Sequence, residues 1–200
     1  MRGPLVMEVN PSVPTRTVSK FIAYAKANPG KINMASGGNG TPMHVAGELF
    51  KMMAGVDMVH VPYFNPFPDL LSRQVHVHFG PISSSLGYIR SGKMRALAIA
   101  GAARSQMLPD LPTVSEFVRG YEATNWYAVG APRATPAAAI ETLNAAINAA
   151  LTDPAFASRL ADIGVEPMPM TAAACSAFLA DETGQMDQGG QVREPQAALT

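Results

Sequence analysis

The chain is predicted to be an α/β protein with a mainly parallel sheet covered by helices. Three observations predict this. Apolar runs of strand length alternate with segments of helical period, a glycine-rich turn joins one strand directly to a helix, and residues that start and stop helices flank the periodic segments.

In chain order, Val18, Phe21, Ile22 and Ala25 fall at helical spacing within residues 17–28, with Thr17 as N-cap and Pro29-Gly30 as the stop. A short strand, 32–35, runs into Ser36-Gly37-Gly38-Asn39-Gly40, and a second helix opens with Thr41 as N-cap and Pro42 at its first position. Residues 58–63, 75–79 and 94–100 read as further buried strands. Between the last two, 83–91 reads as a helix that Ser83-Ser84-Ser85 caps and Gly92 closes. After Leu108-Pro109-Asp110-Leu111-Pro112 a short helix starts at Thr113, and the apolar segment 124–131, which holds Trp126, reads as a strand crossing between lobes. Thr135 is expected to cap a helix over 136–151 with Ile140, Leu143, Ile147 and Leu151 on one face, and Asp153 another over 154–163. Residues 164–170 read as extended, and Thr171 starts a last helix. Residues 184–200 lose apolar periodicity and gain Gln, Gly and Pro, so this tail is expected to fray.

Composition narrows the functions. Fifteen Lys and Arg balance fifteen Asp and Glu, and 48% of residues are apolar, which excludes a disordered chain and gives no net basic field for nucleic acid. Two hundred residues can bury a proper core without cross-links. No apolar run of about eighteen residues could span a bilayer. The start, Met1-Arg2-Gly3-Pro4-Leu5-Val6-Met7, is too short and too polar afterwards for a secretory core, so the chain taken as a complete product is expected in the cytoplasm. The single cysteine, Cys175, shares an apolar helical pattern with Phe178 and Leu179 and reads as a packed thiol.

The glycine loop is where chemistry is expected. Glycines 37, 38 and 40 allow consecutive amide N–H groups to converge, and the following helix adds its positive dipole end, so the loop suits an anion. Ser36, Asn39 and Thr41 add short polar groups. The Lys-Ser/Thr pair of a phosphate-binding P-loop is missing, which favours a carboxylate over a nucleotide. A tight connection with no ligand is the plainer reading of such a turn.

The residues around the loop carry a wider pattern. Ala35-Ser36-Gly37-Gly38-Asn39-Gly40-Thr41-Pro42-Met43-His44-Val45-Ala46-Gly47-Glu48-Leu49-Phe50 resembles the signature of the tripartite tricarboxylate transporter substrate-binding (Bug) family. The resemblance continues through Pro11-Ser12-Val13-Pro14, His60-Val61-Pro62-Tyr63, Gly92-Lys93-Met94-Arg95-Ala96-Leu97-Ala98, Leu111-Pro112-Thr113-Val114 and Trp126-Tyr127, and covers residues 9–182. It implies a periplasmic solute-binding protein with the two-lobe, type II periplasmic-binding-protein architecture, delivering a small carboxylate to the subunits of a membrane permease. No catalysis, cofactor or metal is implied. By position, Ser36, Gly38, Asn39, Gly40 and Thr41 would meet the ligand carboxylate. His44 would do so too or serve as a structural hydrogen-bonding group near Glu48, and Tyr63 would contact ligand or hinge, or pack.

The resemblance also implies an incomplete molecule. Residues 1–10 would be a crossing segment, 11–121 a complete ligand-binding lobe, 122–131 a crossing strand and 132–183 the C-terminal helices of a first lobe whose amino-terminal part is missing. The bare faces of those helices would then invite self-association. Gly80 stands where many relatives have an aspartate facing the ligand, which favours a plain carboxylate over an amino acid. Two rival readings follow: a truncated homologue that is only an interaction module, and a metalloenzyme using His60, His76 and His78. Strand alternation places the last two on one face with or without a metal, and no Asp, Glu or Cys is spaced to complete the shell.

Overall fold

The strand that organises the molecule, β1 (Arg2–Val9), is one the sequence pattern assigned only to a crossing segment. The structure, a computed structural model, describes residues 1–189, with side chains as far as Glu182. β1 is followed by α1 (Val18–Ala27), β2 (Asn33–Ser36), α2 (Pro42–Ala54), β3 (Val59–Pro62), α3 (Phe67–Leu71), β4 (Val77–Pro81), α4 (Ile82–Arg90), β5 (Arg95–Ile99), β6 (Thr124–Trp126), α5 (Ala137–Thr152), α6 (Pro154–Asp162) and α7 (Ala172–Gly189). The sheet order is β3-β2-β4-β1-β5, with β6 pairing the start of β1. β2 runs parallel to β3 and β4, whereas β1 lies antiparallel to β4, β5 and β6. The expected mainly parallel direction holds for β2, β3, β4 and β5, but the sheet is mixed because an unforeseen strand of opposite direction, β1, lies between β4 and β5.

Alternation along β1 separates two faces. Leu5, Met7 and Val9 join Val77 and Phe79 beneath α1 and α2, where the Phe50 ring lies 6.1 Å from Phe21, 5.5 Å from Phe79 and 6.1 Å from Tyr121. Burying each such ring stabilises the fold by roughly 1.5–3 kcal/mol. On the other face, Val6 and Ile99 pack with Ile82 of α4, and Ala35 with Leu70 of α3. β3 does not match the expectation of a buried strand: it is the sheet edge, and Val59 is 44% exposed.

Helix starts follow local chemistry. Thr17 caps α1 by accepting from Lys20 N–H, and Asp153 caps α6 by accepting from Phe156 N–H at 2.8 Å. The cap of α5 is Pro136 rather than Thr135. The serine run does not cap α4 either. The helix begins at Ile82 directly after β4, which places Ser85 within it facing β1. The crossing strand in 124–131 shrinks to β6, three residues long.

The C-terminal helices meet the rest through the start of β1. Arg2 N–H donates to Glu166 C=O and receives a bond in return, at 3.0 and 2.8 Å, while Leu151, Leu160 and Val165 bury against Met1 and Ile147. Asn148 brackets Met170 with bonds to both its backbone groups, which sets the entry of α7, and Trp126 meets Phe178 edge to face. Leu143 stays half exposed. Cys175 is half-buried, not a core thiol. α7 runs on to Gly189, past the point where fraying was expected; the remainder of that tail, 190–200, lies outside the described residues.

Candidate functional site

β2 ends at Ser36 beside the end of β4, and the chain turns through the glycines into α2 at this carboxyl edge of the parallel strands, where open α/β sheets form a crevice. Gly38 (φ 121°) and Gly40 (φ 75°) both take left-handed backbone that side chains with a Cβ avoid. Ser36 organises the turn: its Oγ accepts from Gly38 N–H at 3.1 Å and donates to Gly38 C=O at 3.2 Å. Thr41 sits at the N-cap position, as expected, but its hydroxyl does not cap the helix. It donates to Gly38 C=O at 2.7 Å, so it closes the loop.

This leaves the amides unequally engaged. Gly38 N–H is bound to Ser36, Thr41 N–H to Gly38 C=O and Gly40 N–H to His44 Nδ1 at 3.1 Å. Among the described residues, the N–H groups of Gly37, Asn39, Met43 and His44 have no protein acceptor. Pro42 has none to offer, so Met43 and His44 present the first free donors of a thirteen-residue helix, where the dipole favours negative charge. Asn39 and Gly40 are exposed, and Gly37, Gly38, Thr41 and His44 partly so.

His44 is a structural hydrogen-bonding group, but its partner is Gly40 rather than Glu48, which pairs with Lys51 at 2.8 Å. Its ring also stacks on His60, with centroids 3.9 Å apart. His60 Nε2 lies 2.6 Å from Ser36 Oγ, so β3 braces the loop through a Ser–His contact. Burial, and then the neighbouring His44, holds the His60 pKa below the usual histidine value. The sequence reading weighed His60 only as a metal ligand. The signal for its actual place is the parallel register of β2 and β3, which sets His60 and Pro62 on the side chain rows of Met34 and Ser36.

Two more of the expected residues border the loop through their backbones: Tyr63 N–H donates to Ser36 C=O at 3.0 Å, and Gly80 lies near the end of β4. The Tyr63 side chain is partly buried among Phe67, Tyr88, Leu70 and Met94, and burial followed by the Asp69 carboxylate raises its pKa. Gly80 is buried in β4, and a Cβ there would lie 2.6 Å from His78 Cε1 and 2.9 Å from Glu8 Oε1. Its lack of a side chain is required by that close approach, so Gly80 can offer a ligand only its backbone. Glu8, His78 and Ser85 form a buried group in which Ser85 Oγ donates to Glu8 Oε1 at 2.7 Å and His78 Nδ1 meets the same oxygen at 3.0 Å. The sequence cue to it was the single acid within Leu5-Val6-Met7-Glu8-Val9. His76, rather than sharing a site with His78 and His60, accepts Asn33 N–H at Nδ1. Among the described residues no three His, Cys, Asp or Glu side chains are placed to hold a metal ion.

Comparison with known proteins supplies the family. Residues 1–191 match the model of the tripartite tricarboxylate transporter family receptor. Protein BugT of Bordetella pertussis is 36% identical over 98% of this chain and 61% of its own length. A Rhodopseudomonas palustris protein solved with adipate superposes with a TM-score of 0.91 at 31% identity, over 95% of this chain and 65% of that one. MatC from the same organism, solved with bound malate, gives 0.87 at 26% identity, over 94% and 66%. The chain thus spans less than two thirds of the length of each.

Proposed function

Because the chain belongs to the tripartite tricarboxylate transporter receptor family, we propose that it is a periplasmic solute-binding receptor, not an enzyme, that holds a small carboxylate at the loop 36–41 and hands it to a membrane permease. The observation that carries this reading is the set of free amides of Gly37, Asn39, Met43 and His44 around a helix N-terminus, with Ser36 and Thr41 spent on shaping the turn. A carboxylate has two oxygens with about four lone-pair directions and no donor of its own, which fits a ring of N–H groups. Adipate and malate, the ligands of the two solved relatives, are both dicarboxylates and define the class. The far end of such a ligand would face the other lobe of the two-lobe architecture.

The test is calorimetry and thermal denaturation of this chain with adipate and malate, with adipamide as the uncharged control. Binding to the native state raises the melting temperature with ligand concentration. A rise with either acid, none with adipamide and no change on adding a chelator is expected. Gly40→Val forces a β-branched residue into φ 75° and should abolish the response. An unchanged dissociation constant in that variant would take the loop out of the site. A chain that responds to no dicarboxylate while remaining folded would instead favour the second reading, an interaction module.

A further inference from the structure

The net charge of zero hides a division. Residues 9–109 carry ten Lys and Arg against three Asp and Glu, and residues 110–200 carry four against eleven. No acid occurs between Glu8 and Glu48, nor between Asp69 and Asp110. These two stretches meet where β1 ends and β5 begins, with Val9 paired to Arg95. There Pro11, Val13, Pro14, Arg16, Lys20 and Arg95 line an open depression of ≈ 390 Å³.

Arg95 is fixed in this depression. Its Nη1 donates to Val13 C=O at 3.1 Å and to Thr15 C=O at 2.8 Å, and its Nη2 to Pro11 C=O at 3.5 Å. Of five guanidinium N–H groups, Nε–H and one on Nη2 remain for an outside acceptor. Arg16 and Lys20 are exposed, and among the described residues neither they nor Arg95 pair with an acid. A second depression of ≈ 300 Å³ shares Pro11 and Arg95 with the first and is lined by Ile89, Met94, Leu108 and Leu111. The surface lies where β4 and β5 begin, the opposite end of the sheet from the loop 36–41, so it does not belong to the solute site.

We propose that these joined depressions are a docking surface for an acidic, partly apolar polypeptide segment of a partner protein. Its carboxylates would sit over Arg16, Lys20 and Arg95, and an apolar side chain would enter the neighbouring hollow. The fixed guanidinium gives geometry, and the two exposed cations give attraction at a distance. A membrane surface fits less well, because none of the exposed large apolar side chains lines either depression to insert beside these cations. Nucleic acid fits less well too, since no aromatic ring lines either depression as a stacking platform.

The probes are two fluorescein-labelled decapeptides, one of glutamate only and one with leucines at two positions, read by fluorescence anisotropy at low and high salt. We expect the leucine-containing peptide to bind more tightly, and Arg16→Glu with Lys20→Glu to weaken it by about tenfold or more. Folding is not at risk, because Lys20→Glu places a glutamate three residues after the cap Thr17, a helix-favouring pair; circular dichroism checks this. Lys26→Glu with Lys31→Glu, which removes the same charge outside the depression, should change binding by less than about twofold. Equal weakening by the two pairs would mean only a diffuse field and would overturn the site. So would equal affinity for both peptides, binding to phosphatidylglycerol vesicles in preference to peptide, or a dimer in sedimentation that the Arg16/Lys20 variant abolishes.

Discussion

At the scale of single residues, the buried Glu8–His78–Ser85 group sets the tolerance of the fold to substitution, and His60 and His76 contribute to its pH behaviour. Glu8 and His78 are almost wholly buried, and Glu8 Oε2 and His78 Nε2 lack partners. Removing one member of a buried polar pair leaves the other desolvated and unpaired, at a cost of about 3–5 kcal/mol, whereas an apolar replacement of both is often close to neutral. We therefore expect His78→Leu to lower stability in urea titration far more than the double variant Glu8→Leu/His78→Leu; equal losses would show that Glu8 does not depend on His78. His60 and His76 give a second expectation. Burial lowers both pKa values below the 6.5 of a free histidine, so the unfolded chain binds more protons just below that pH. Their contribution to stability is complete above pH 6.5 and is lost as pH falls through the folded-state values. The melting temperature should fall on acidification below about 6.5, and less steeply in His76→Gln.

At the scale of elements, the caps show how similar residues do different work. Thr17 accepts Lys20 N–H, so Thr17→Ala should lower stability by about 1 kcal/mol and leave the carboxylate response alone. Thr41 spends its hydroxyl on Gly38 C=O, so Thr41→Val should weaken the carboxylate response with little loss of melting temperature. The opposite pattern in the two variants would reverse these roles. Most elements were legible because their signals are local. The apolar spacing and caps of α1 and α6, and the glycine turn between β2 and α2, sit within a few residues of one another. What the sequence could not show was pairing across distance. β1 was missed as a strand because a Gly-Pro start and a buried glutamate break its apolar pattern, and only partners seventy or more residues on, His78 and Ser85, make that glutamate tolerable. The same blindness hid why residue 80 is a glycine, since the neighbours that forbid a Cβ there come from β1 as well as β4. The serines of α4 misled for a related reason: Ser85 answers to Glu8 rather than to its own helix.

At the scale of the whole molecule, β1 belongs to two bodies of unequal strength. Its second half lies between β4 and β5 over a core of Phe21, Phe50, Phe79 and Tyr121, while its first residues hold α5, α6 and α7 through the Arg2–Glu166 backbone pair and the small cluster of Leu151, Leu160 and Val165. Local opening costs less where fewer apolar groups are buried, so the two parts should open separately. In hydrogen exchange followed by mass spectrometry, peptides from α5 and α6 should take up deuterium well before those from β1, β2 and β4. Leu160→Ala removes part of the small cluster and should speed exchange in α5 and α6 while leaving the central strands unchanged. If that variant instead speeds exchange uniformly across the chain, the helices and the sheet form one cooperative unit, and the short contact at Arg2 and Glu166 carries far more of the stability than its size implies.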